Sequence, residues 1–429
     1  MDKECYQNYL NVLNEELVVA LGCTEPITIA YAAAVARSKL GAFPEKVELY
    51  CSGNIIKNAN AVIVPNSGGL KGMKAAAILG VIGGDETKGL EVLKFITEEQ
   101  QKKTRILLDE GYCDCYLAEN VENLYVRVIV CKEKTHIEVL IQGKHNQIVE
   151  IKKNSEILYR LSETCDAEAS GCADRSKMNW KDIFQFVDEV RIEDVRELLE
   201  QQINCNTALA DEGLKETYGA QVGKTLLEEG GEGLDVYVKA RTAAASDARM
   251  GGCSLPAVIN SGSGNQGITA SIPVIEYAKA WNVEQEKLYR ALVLSNLLCI
   301  YQKHFIGNLS AFCGVVSAAS SAGAGIMYLS GGSCQDIENT ITNTLANASG
   351  MICDGAKSTC AAKIVTALSA AVLGYQMALK NCAFQKGEGI VQAEAEGTIQ
   401  AVGYIGKIGM RQTDKEILNI ILGKTKIGN

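Results

Sequence analysis

The side-chain pattern changes along the chain, and this change constrains the fold more than any single motif. Residues 44–153 contain short alternating runs typical of β-strands, among them KVELYCS, LYVRVIVC and THIEVLIQG, beside two helical stretches. After residue 180 the pattern is almost entirely helical, and its density of alanine, glycine and serine indicates closely packed helices. Because residues 1–41 are also helical, we predict an α+β protein. Its larger, mainly helical domain comprises 1–41 plus 156–429, and a smaller α+β domain, 42–155, is inserted into it.

Glycine rather than proline divides the helical region, since the chain has 41 glycines and 5 prolines. Apolar spacing predicts a first helix over 4–20 and a second over 25–40. The polar stretch SETCDAEASGCADRSKMN, residues 162–179, has the composition of a linker. The other predicted helices cover approximately 181–210, 212–228, 234–248, 267–280, 284–305, 308–330, 334–349 and 356–380.

Composition narrows the class of protein and its partners. A chain of 429 residues with 22% charged and 47% hydrophobic residues fits a folded protein of two domains. The net charge of −9 and the lack of a basic tract argue against a nucleic-acid partner. The N-terminus lacks a secretory apolar region, and the run AAKIVTALSAAVLGYQMAL is interrupted by Lys363 and Gly374. We therefore predict a cytoplasmic protein without a membrane partner, and its apolar helical domain favours a homodimer.

Cysteine and histidine usage limits the kind of metal site. Sixteen cysteines in a cytoplasmic chain indicate reduced thiols, some of which are candidate ligands. No CxxC pair occurs, and Cys113 and Cys115 form only a C-x-C, which argues against a zinc ribbon. Three histidines leave little room for a histidine metal site or a Ser-His-Asp triad. Iron fits this composition better than zinc.

Three cysteines, Cys313, Cys353 and Cys360, lie in glycine- and alanine-rich text at separations of 40 and 7 residues. We expect Cys313 in the middle of a helix, Cys353 before a turn and Cys360 at the start of the next helix. Three thiolates can hold three irons of a four-iron cluster and leave the fourth iron open as a Lewis acid. The alternative is that all three are ordinary core cysteines.

A second candidate element is Gly22-Cys23-Thr24-Glu25-Pro26. Cys23 precedes a predicted helix start, where unpaired N–H groups and the helix dipole favour thiolate over thiol. Glu25 is close enough in sequence to relay a proton, so Cys23 could act on a substrate Cα–H. A capping turn with a buried thiol explains the same residues equally well.

Three further polar groups are candidates for binding a substrate. The run from Asn260 to Gly267 enters a helix, and its glycines, with Ser261, Ser263 and Asn265, suit a carboxylate or phosphate, although a tight turn is the alternative. Lys303 and His304 place a cation and hydrogen-bond donors a few residues before Cys313; a solvated helix end is the alternative. Asn54 and Lys57 lie in the polar run SGNIIKN, which could equally be an N-cap.

Taken together, five motifs give the chain a family resemblance. In order they are GCTEP, SGNIIKN, NSGSGNQG, KHFIGNLSAFCG and CDGAKSTC. This ordered set resembles the iron–sulfur L-cysteine desulfidases, a group related to the α-chain of the oxygen-labile bacterial L-serine dehydratases. The resemblance covers essentially the whole chain. It implies a helical, cluster-bearing catalytic domain beside a smaller α+β domain.

The resemblance also implies an activity and a cofactor. The reaction would be L-cysteine + water → pyruvate + ammonia + hydrogen sulfide, catalysed by a lyase without pyridoxal phosphate. Cys313, Cys353 and Cys360 fall on the ligands of a 4Fe-4S cluster, which we expect to be lost in air, and Cys23 falls on the proposed catalytic cysteine. Glu25 and Lys303 are the other expected catalytic residues. The expected substrate-binding residues are Thr24, Asn54, Lys57, Ser261, Ser263, Asn265 and His304.

Other readings stay open at this point. The serine-specific relatives close the fourth iron with a cysteine in the C-terminal tail, whereas the last cysteine here is Cys382; this favours L-cysteine but does not exclude an iron–sulfur L-serine dehydratase. A second alternative is a pyridoxal-phosphate β-eliminating lyase, for which Lys57 is a conceivable Schiff-base lysine. A third is a binding protein that has lost the cluster.

Overall fold

A computed structural model describes residues 1–161, 173–307 and 309–425. The structure is 59% helix and 12% strand, which confirms the predicted mainly helical α+β class. The predicted linker, 162–179, lies mostly outside the described residues; its described part contains a 3₁₀ turn, Arg175–Lys177.

Sixteen α-helices and eight strands are described in these ranges. The helices are α1 (Lys3–Glu16), α2 (Thr24–Leu40), α3 (Gly53–Ala59), α4 (Gly72–Gly83), α5 (Glu98–Asp109), α6 (Trp180–Glu189), α7 (Ile192–Lys215), α8 (Val222–Glu229), α9 (Leu234–Met250), α10 (Gly264–Ala280), α11 (Gln285–Ile306), α12 (Gly314–Leu329), α13 (Cys334–Ala348), α14 (Cys360–Ala378), α15 (Ala395–Tyr404) and α16 (Arg411–Ile421). The strands are β1 (Val19–Leu21), β2 (Lys46–Cys51), β3 (Cys113–Leu117), β4 (Tyr125–Lys132), β5 (Thr135–Gln142), β6 (Ile148–Lys153), β7 (Glu156–Arg160) and β8 (Pro256–Val258).

The larger sheet has the strand order β3-β2-β4-β5-β6-β7 and is antiparallel except for the β2–β3 pair. Alternate residues of β4 and β5, such as Val128 and Val139, are fully buried, as expected for strands with one covered face. Helix α2 packs on this face. Twelve of its 17 residues are buried because the sheet lies on one side and α4 on another.

Helix α12 is the centre of the helical region. Fourteen of its 16 residues are buried, and it packs against α10, α11, α13 and α14. Small residues make this possible, because a helix covered on all sides needs close backbone approaches. Elsewhere in the region, α7 and α9 approach so closely that a Cβ on Gly213 would lie 2.0 Å from the carbonyl oxygen of Ala244.

A small two-stranded sheet joins the two regions and positions the functional loops. Strand β1 pairs antiparallel with β8, with Ala20 opposite Ala257. Because α2 begins three residues after β1, and the loop before α10 follows β8, the pairing brings the start of α2 beside that loop. Residues distant in sequence therefore meet at one place.

Several elements differ from the sequence-based expectation. The predicted helix over 181–210 is two helices, broken at Val190 and Arg191, and the helix predicted over 308–330 begins only at Gly314. Helices α15 and α16 were not predicted. The domain limits stay a prediction, but α2 packs on the sheet, and β7 extends that sheet past residue 155.

Within the described residues, α14 is the one helix long and apolar enough to cross a membrane, judged by length and composition. Half of its apolar window is buried inside the protein. Since a buried core helix meets the same criteria, this is weak evidence for a membrane span.

Candidate active site

A small cavity of about 90 Å³ lies where the helical region meets the start of α2. Ten of the residues predicted from sequence line it: Cys23, Thr24, Glu25, Ser261, Ser263, Asn265, Lys303, Cys313, Cys353 and Cys360. These residues come from four separate parts of the chain. Their convergence makes the cavity the candidate active site, and their individual roles stay predictions.

The three cysteines approach the cavity through irregular backbone rather than from helix interiors. The expectation that Cys313 lies in mid-helix is wrong, because it is the N-cap of α12 and has extended backbone. Its N–H donates to the carbonyl of Met351 at 3.0 Å, and the N–H of Cys353 donates to the carbonyl of Ala311 at 2.6 Å. This short antiparallel contact holds the two cysteine-bearing segments together.

Cys360 is the first residue of α14, as predicted, and a tight loop joins it to Cys353. In this loop Gly355 has a φ of +99°, and a Cβ there would lie 2.2 Å from the carbonyl oxygen of Lys57. The loop is also held by Asp354, whose carboxylate forms ion pairs with Lys357 at 2.7 Å and with Lys363. The backbone around the cysteines is therefore fixed by its own side chains and by α3.

The three cysteines supply to one cavity the ligand type that iron–sulfur clusters use. Burial raises the pKa of Cys313 to about 12, and burial also raises the pKa of Cys360, so both sulfurs lie where a thiolate needs a cationic partner. Within the described residues no three cysteine, histidine or acidic side chains are grouped to hold a single metal ion.

Cys23 and Glu25 form a buried hydrogen-bonded pair beside the cysteines. Cys23 is the N-cap of α2, and its Sγ donates to Oε2 of Glu25 at 3.0 Å. The Thr24 hydroxyl lies 3.1 Å from the same carboxylate oxygen and 2.9 Å from the carbonyl of Gly262. Asn58 donates to Oε1 at 2.8 Å. The carboxylate of Glu25 is thus held in one orientation toward the thiol.

The electrostatics of this pair differ from the prediction. Burial and the adjacent Glu25 carboxylate raise the pKa of Cys23 well above its ordinary value, although Cys23 lies at a helix start. Burial would also raise the pKa of Glu25, but the nearby His145 and the hydrogen bond from the Cys23 thiol lower it to about 2. The protein therefore presents a thiol next to an ionised carboxylate, and not the predicted thiolate.

Sequence reasoning missed two residues that support Glu25. Asn58 is the last residue of the SGNIIKN run, and His145 lies in the hairpin loop between β5 and β6. The His145 side chain is 8% exposed, its Nε2 lies 3.8 Å from Glu25, and this nitrogen has no hydrogen-bond partner among the described residues. The sequence offered one indication of His145, a rare histidine in the polar turn GKHN. It was not used because residues in a turn are usually exposed to solvent.

The loop before α10 also lines the cavity. Ser261 has a φ of +50°, and the Ser263 hydroxyl caps α10 by accepting from the N–H of Gln266. Oδ1 of Asn265 accepts from Ser246 at 3.2 Å and from Nη1 of Arg249 at 3.1 Å. Arg249, which is 3% exposed, also lines the cavity and was not among the predicted residues.

Three predicted substrate-binding residues lie away from this cavity. Lys57 forms a buried ion pair with Asp414 of α16 at 2.5 Å and lies 3.5 Å from the carbonyl of Ser310, so it is not available as a Schiff-base lysine. Asn54 lines a different cleft of about 730 Å³ between α3 and α16. His304 is exposed, and its ring lies against that of Phe305. Lys303, by contrast, is buried and lines the cavity.

Comparison with known proteins shows which family the chain resembles. The family model described as "Serine dehydratase alpha chain" matches residues 87–419. A UPF0597 protein of Desulfitobacterium hafniense is 48% identical over 419 residues, covering 98% of this chain and 97% of the relative. A UPF0597 protein of Lachnoclostridium phytofermentans is 49% identical and is covered completely. One from a Shewanella species is 40% identical over 425 residues.

The similarity to these relatives extends over nearly the full length of both partners. The family match includes the loop before α10 and Cys313, Cys353 and Cys360, but not Cys23. Together these matches confirm the relationship that the five motifs predicted. The chain belongs to the serine dehydratase alpha chain family.

Proposed function

We propose that this protein is an L-cysteine desulfidase, a lyase that converts L-cysteine and water to pyruvate, ammonia and hydrogen sulfide. The observation that supports it most is the convergence of Cys313, Cys353 and Cys360 with the Cys23–Glu25 pair on one cavity. Membership of the serine dehydratase alpha chain family supports elimination chemistry on an amino acid.

Cys313, Cys353 and Cys360 would hold a 4Fe-4S cluster. Such a cluster supplies an open iron that polarises the bond to the leaving sulfur. Lys303 is buried at this cavity, where burial lowers its pKa and the nearby Cys353 and Cys313 partly offset this effect. In its protonated form it would balance thiolate charge. The wall formed by Ser261, Ser263 and the start of α10 presents N–H donors to a carboxylate.

The Cys23–Glu25 pair would move the Cα proton. The Cys23 thiol passes its proton to the Glu25 carboxylate across 3.0 Å while its sulfur receives the proton from Cα. Asn58 and His145 keep the carboxylate directed at the thiol during this transfer. Loss of the Cα proton and of hydrosulfide leaves aminoacrylate, which tautomerises to an imine and hydrolyses in water to pyruvate and ammonia.

L-Serine is the second candidate substrate, favoured by the description of the matching family. The test is to isolate the protein anaerobically and to measure pyruvate release from L-cysteine and from L-serine, together with sulfide release from L-cysteine. We expect kcat/KM for L-cysteine to exceed that for L-serine. A higher kcat/KM for L-serine assigns the dehydratase activity instead, and no release from either substrate refutes both assignments.

Other properties of the protein stay predictions. They are a cytoplasmic location, a homodimer, a small-molecule substrate and no nucleic-acid or membrane partner. A cluster with one open iron is expected to lose iron in air, so activity should decline on aerobic handling.

A further inference from the structure

Two buried arginines on α9 differ in how their charge is balanced. Arg241 is 7% exposed, and its guanidinium forms ion pairs with Asp211 at 2.7 Å and with Glu276 at 3.0 Å. Arg249 is two turns further along the helix and is 3% exposed. Among the described residues no carboxylate lies within ion-pair distance of it. A buried charge without a counter-ion is costly, so its retention indicates a ligand.

The hydrogen bonds of Arg249 are also incomplete. Its Nη1 donates to Oδ1 of Asn265 at 3.1 Å, while its Nε is buried without a hydrogen-bond partner among the described residues. A guanidinium carries five N–H donors in a planar fork that matches a carboxylate. Arg249 lines the cavity, so donors that its protein partners leave unused could serve a carboxylate there.

The adjoining backbone makes room for this side chain. A Cβ on Gly264 would lie 2.1 Å from Nε of Arg249, so only glycine lets the guanidinium lie directly against the start of α10. The first N–H groups of a helix have no intrahelical acceptor, and the helix dipole favours an anion there. The guanidinium and the helix start thus favour negative charge at the same point.

Glu25 and Lys303, which also line the cavity, lie against other groups of the protein. Glu25 is engaged by the Cys23 thiol, Thr24 and Asn58, and its carboxylate faces His145. Burial lowers the pKa of Lys303, and the nearby Cys299, Cys353 and Cys313 partly offset this effect, which places Lys303 with the thiols. Arg249 is a further cation at the cavity, beside Cys23 and Asn265.

We infer that Arg249 binds the α-carboxylate of the substrate, and that it makes the enzyme select free α-amino acids over analogues without that charge. This inference rests on the proposed amino-acid substrate and adds the residue that recognises it. A carboxylate at Arg249 would orient Cα toward Cys23, whose pKa already responds to the arginine's charge.

The test compares L-cysteine with L-cysteine methyl ester, which keeps the amine and the thiol but lacks the carboxylate. We expect the wild-type protein to prefer L-cysteine. Arg249→Gln should lower kcat/KM for L-cysteine about 10- to 100-fold and change kcat/KM for the ester little. The ratio of the two values is the informative quantity, because a general folding defect lowers both equally. Arg249→Lys, which keeps a point charge without the planar fork, should fall in between.

Arg241→Gln is the matched control, since it removes a buried arginine from the same helix but outside the cavity. It should lower the melting temperature and leave the preference for L-cysteine unchanged. Calorimetric titration of the reduced, iron-free chain measures binding without turnover. We expect the wild type to bind L-cysteine more tightly than the ester, and Arg249→Gln to show no such difference. An unchanged preference in Arg249→Gln, or no preference in the wild-type titration, overturns the inference. Neither result bears on the release of sulfide and pyruvate, which tests the proposed function separately.

Discussion

At the scale of single residues, Glu25 is the group on which the proposed proton transfer depends. Its carboxylate is buried yet ionised, because hydrogen bonds and nearby charge hold its pKa at about 2 against the effect of burial. Three side chains donate to it or lie within hydrogen-bond distance, and one of them is the Cys23 thiol at 3.0 Å. An uncharged group of the same shape could keep the packing but could not take the thiol proton.

We therefore predict that Glu25→Gln lowers kcat with L-cysteine about 100-fold or more, which is the range of general acid–base contributions. KM should change little, because Glu25 is not expected to bind the substrate. Steady-state kinetics under anaerobic conditions measures both quantities. Glu276→Gln, which neutralises another buried carboxylate outside the cavity, serves as the control. A kcat for Glu25→Gln equal to that of this control contradicts the proposed role.

Asp247 is a second buried carboxylate, and its effect is on stability. Burial raises its pKa from 3.8 to about 6, although the N–H groups of Gly223 and neighbouring residues partly offset this. Because the pKa is higher in the folded state, ionisation of Asp247 costs stability. This cost is absent below about pH 3.8, grows as the pH rises toward 6, and is complete above it.

Replacing Asp247 by asparagine should remove this pH dependence while keeping one oxygen that can accept from Gly223. At pH 7.5 Asp247→Asn should be more stable relative to wild type than it is at pH 4.5, and its melting temperature should be higher accordingly. The gain in the free energy of unfolding relative to wild type should be up to about 3 kcal/mol. Thermal unfolding at the two pH values measures it. A difference between the two proteins that is the same at both pH values would show that Asp247 does not titrate in this range.

At the scale of elements, the loop from Cys353 to Cys360 depends on contacts with other parts of the chain. Gly355 packs against the carbonyl of Lys57 on α3, and the ammonium of Lys57 is held by Asp414 of α16. The same ammonium lies 3.5 Å from the carbonyl of Ser310, three residues before Cys313. Helices α3 and α16 thus support both cysteine-bearing segments from behind the cavity.

Gly355→Ala tests this support. The added Cβ would lie 2.2 Å from the Lys57 oxygen at a φ of +99°, so the loop must move. We expect less than about half of the wild-type iron content, because three ligands that no longer converge bind a cluster poorly. Gly350→Ala is the control, since its Cβ would have no atom within 4 Å. Equal iron contents in the two variants would contradict the proposed role of the loop.

The elements also show what the sequence could and could not predict. The period-two runs predicted β2 to β6, since each strand is recognisable from its own residues. The position of Cys313 was not predictable in this way: its segment pairs with Met351 and leaves the helix, and that partner is 38 positions away. Likewise α2 carries its own helical signal, but nothing within it indicates that it packs on the sheet.

The same distinction applies to the site. Cys23, Cys313, Cys353, Cys360 and the loop before α10, which line the cavity, were predicted because each lies in a distinctive motif. Arg249 and His145 were missed because burial in the folded protein brings them to the cavity. The helical sequence around Arg249 and the turn sequence around His145 do not indicate such burial. Lys57 lies in a motif, yet its side chain is directed to α16 by an aspartate 357 positions away.

At the scale of the whole molecule, the cavity exists because separate regions meet. The β1–β8 pair brings the start of α2 to the loop before α10, and the sheet contributes His145 through the β5–β6 hairpin. The hydroxyl of Thr28 on α2 donates to the carbonyl of His145 at 2.9 Å, which fixes that hairpin loop over the cavity. The smaller, sheet-containing region therefore contributes a residue, His145, to the cavity.

The central claim is that Cys313, Cys353 and Cys360 together bind one iron–sulfur cluster. The most direct measurement is the iron and acid-labile sulfide content of anaerobically isolated protein, for the wild type and for each cysteine changed to serine. The account predicts about four irons and four sulfides per wild-type chain, a marked loss in each of the three variants, and wild-type content in the control Cys253→Ser. A wild-type chain without iron, or three variants that keep as much iron as the control, would contradict it.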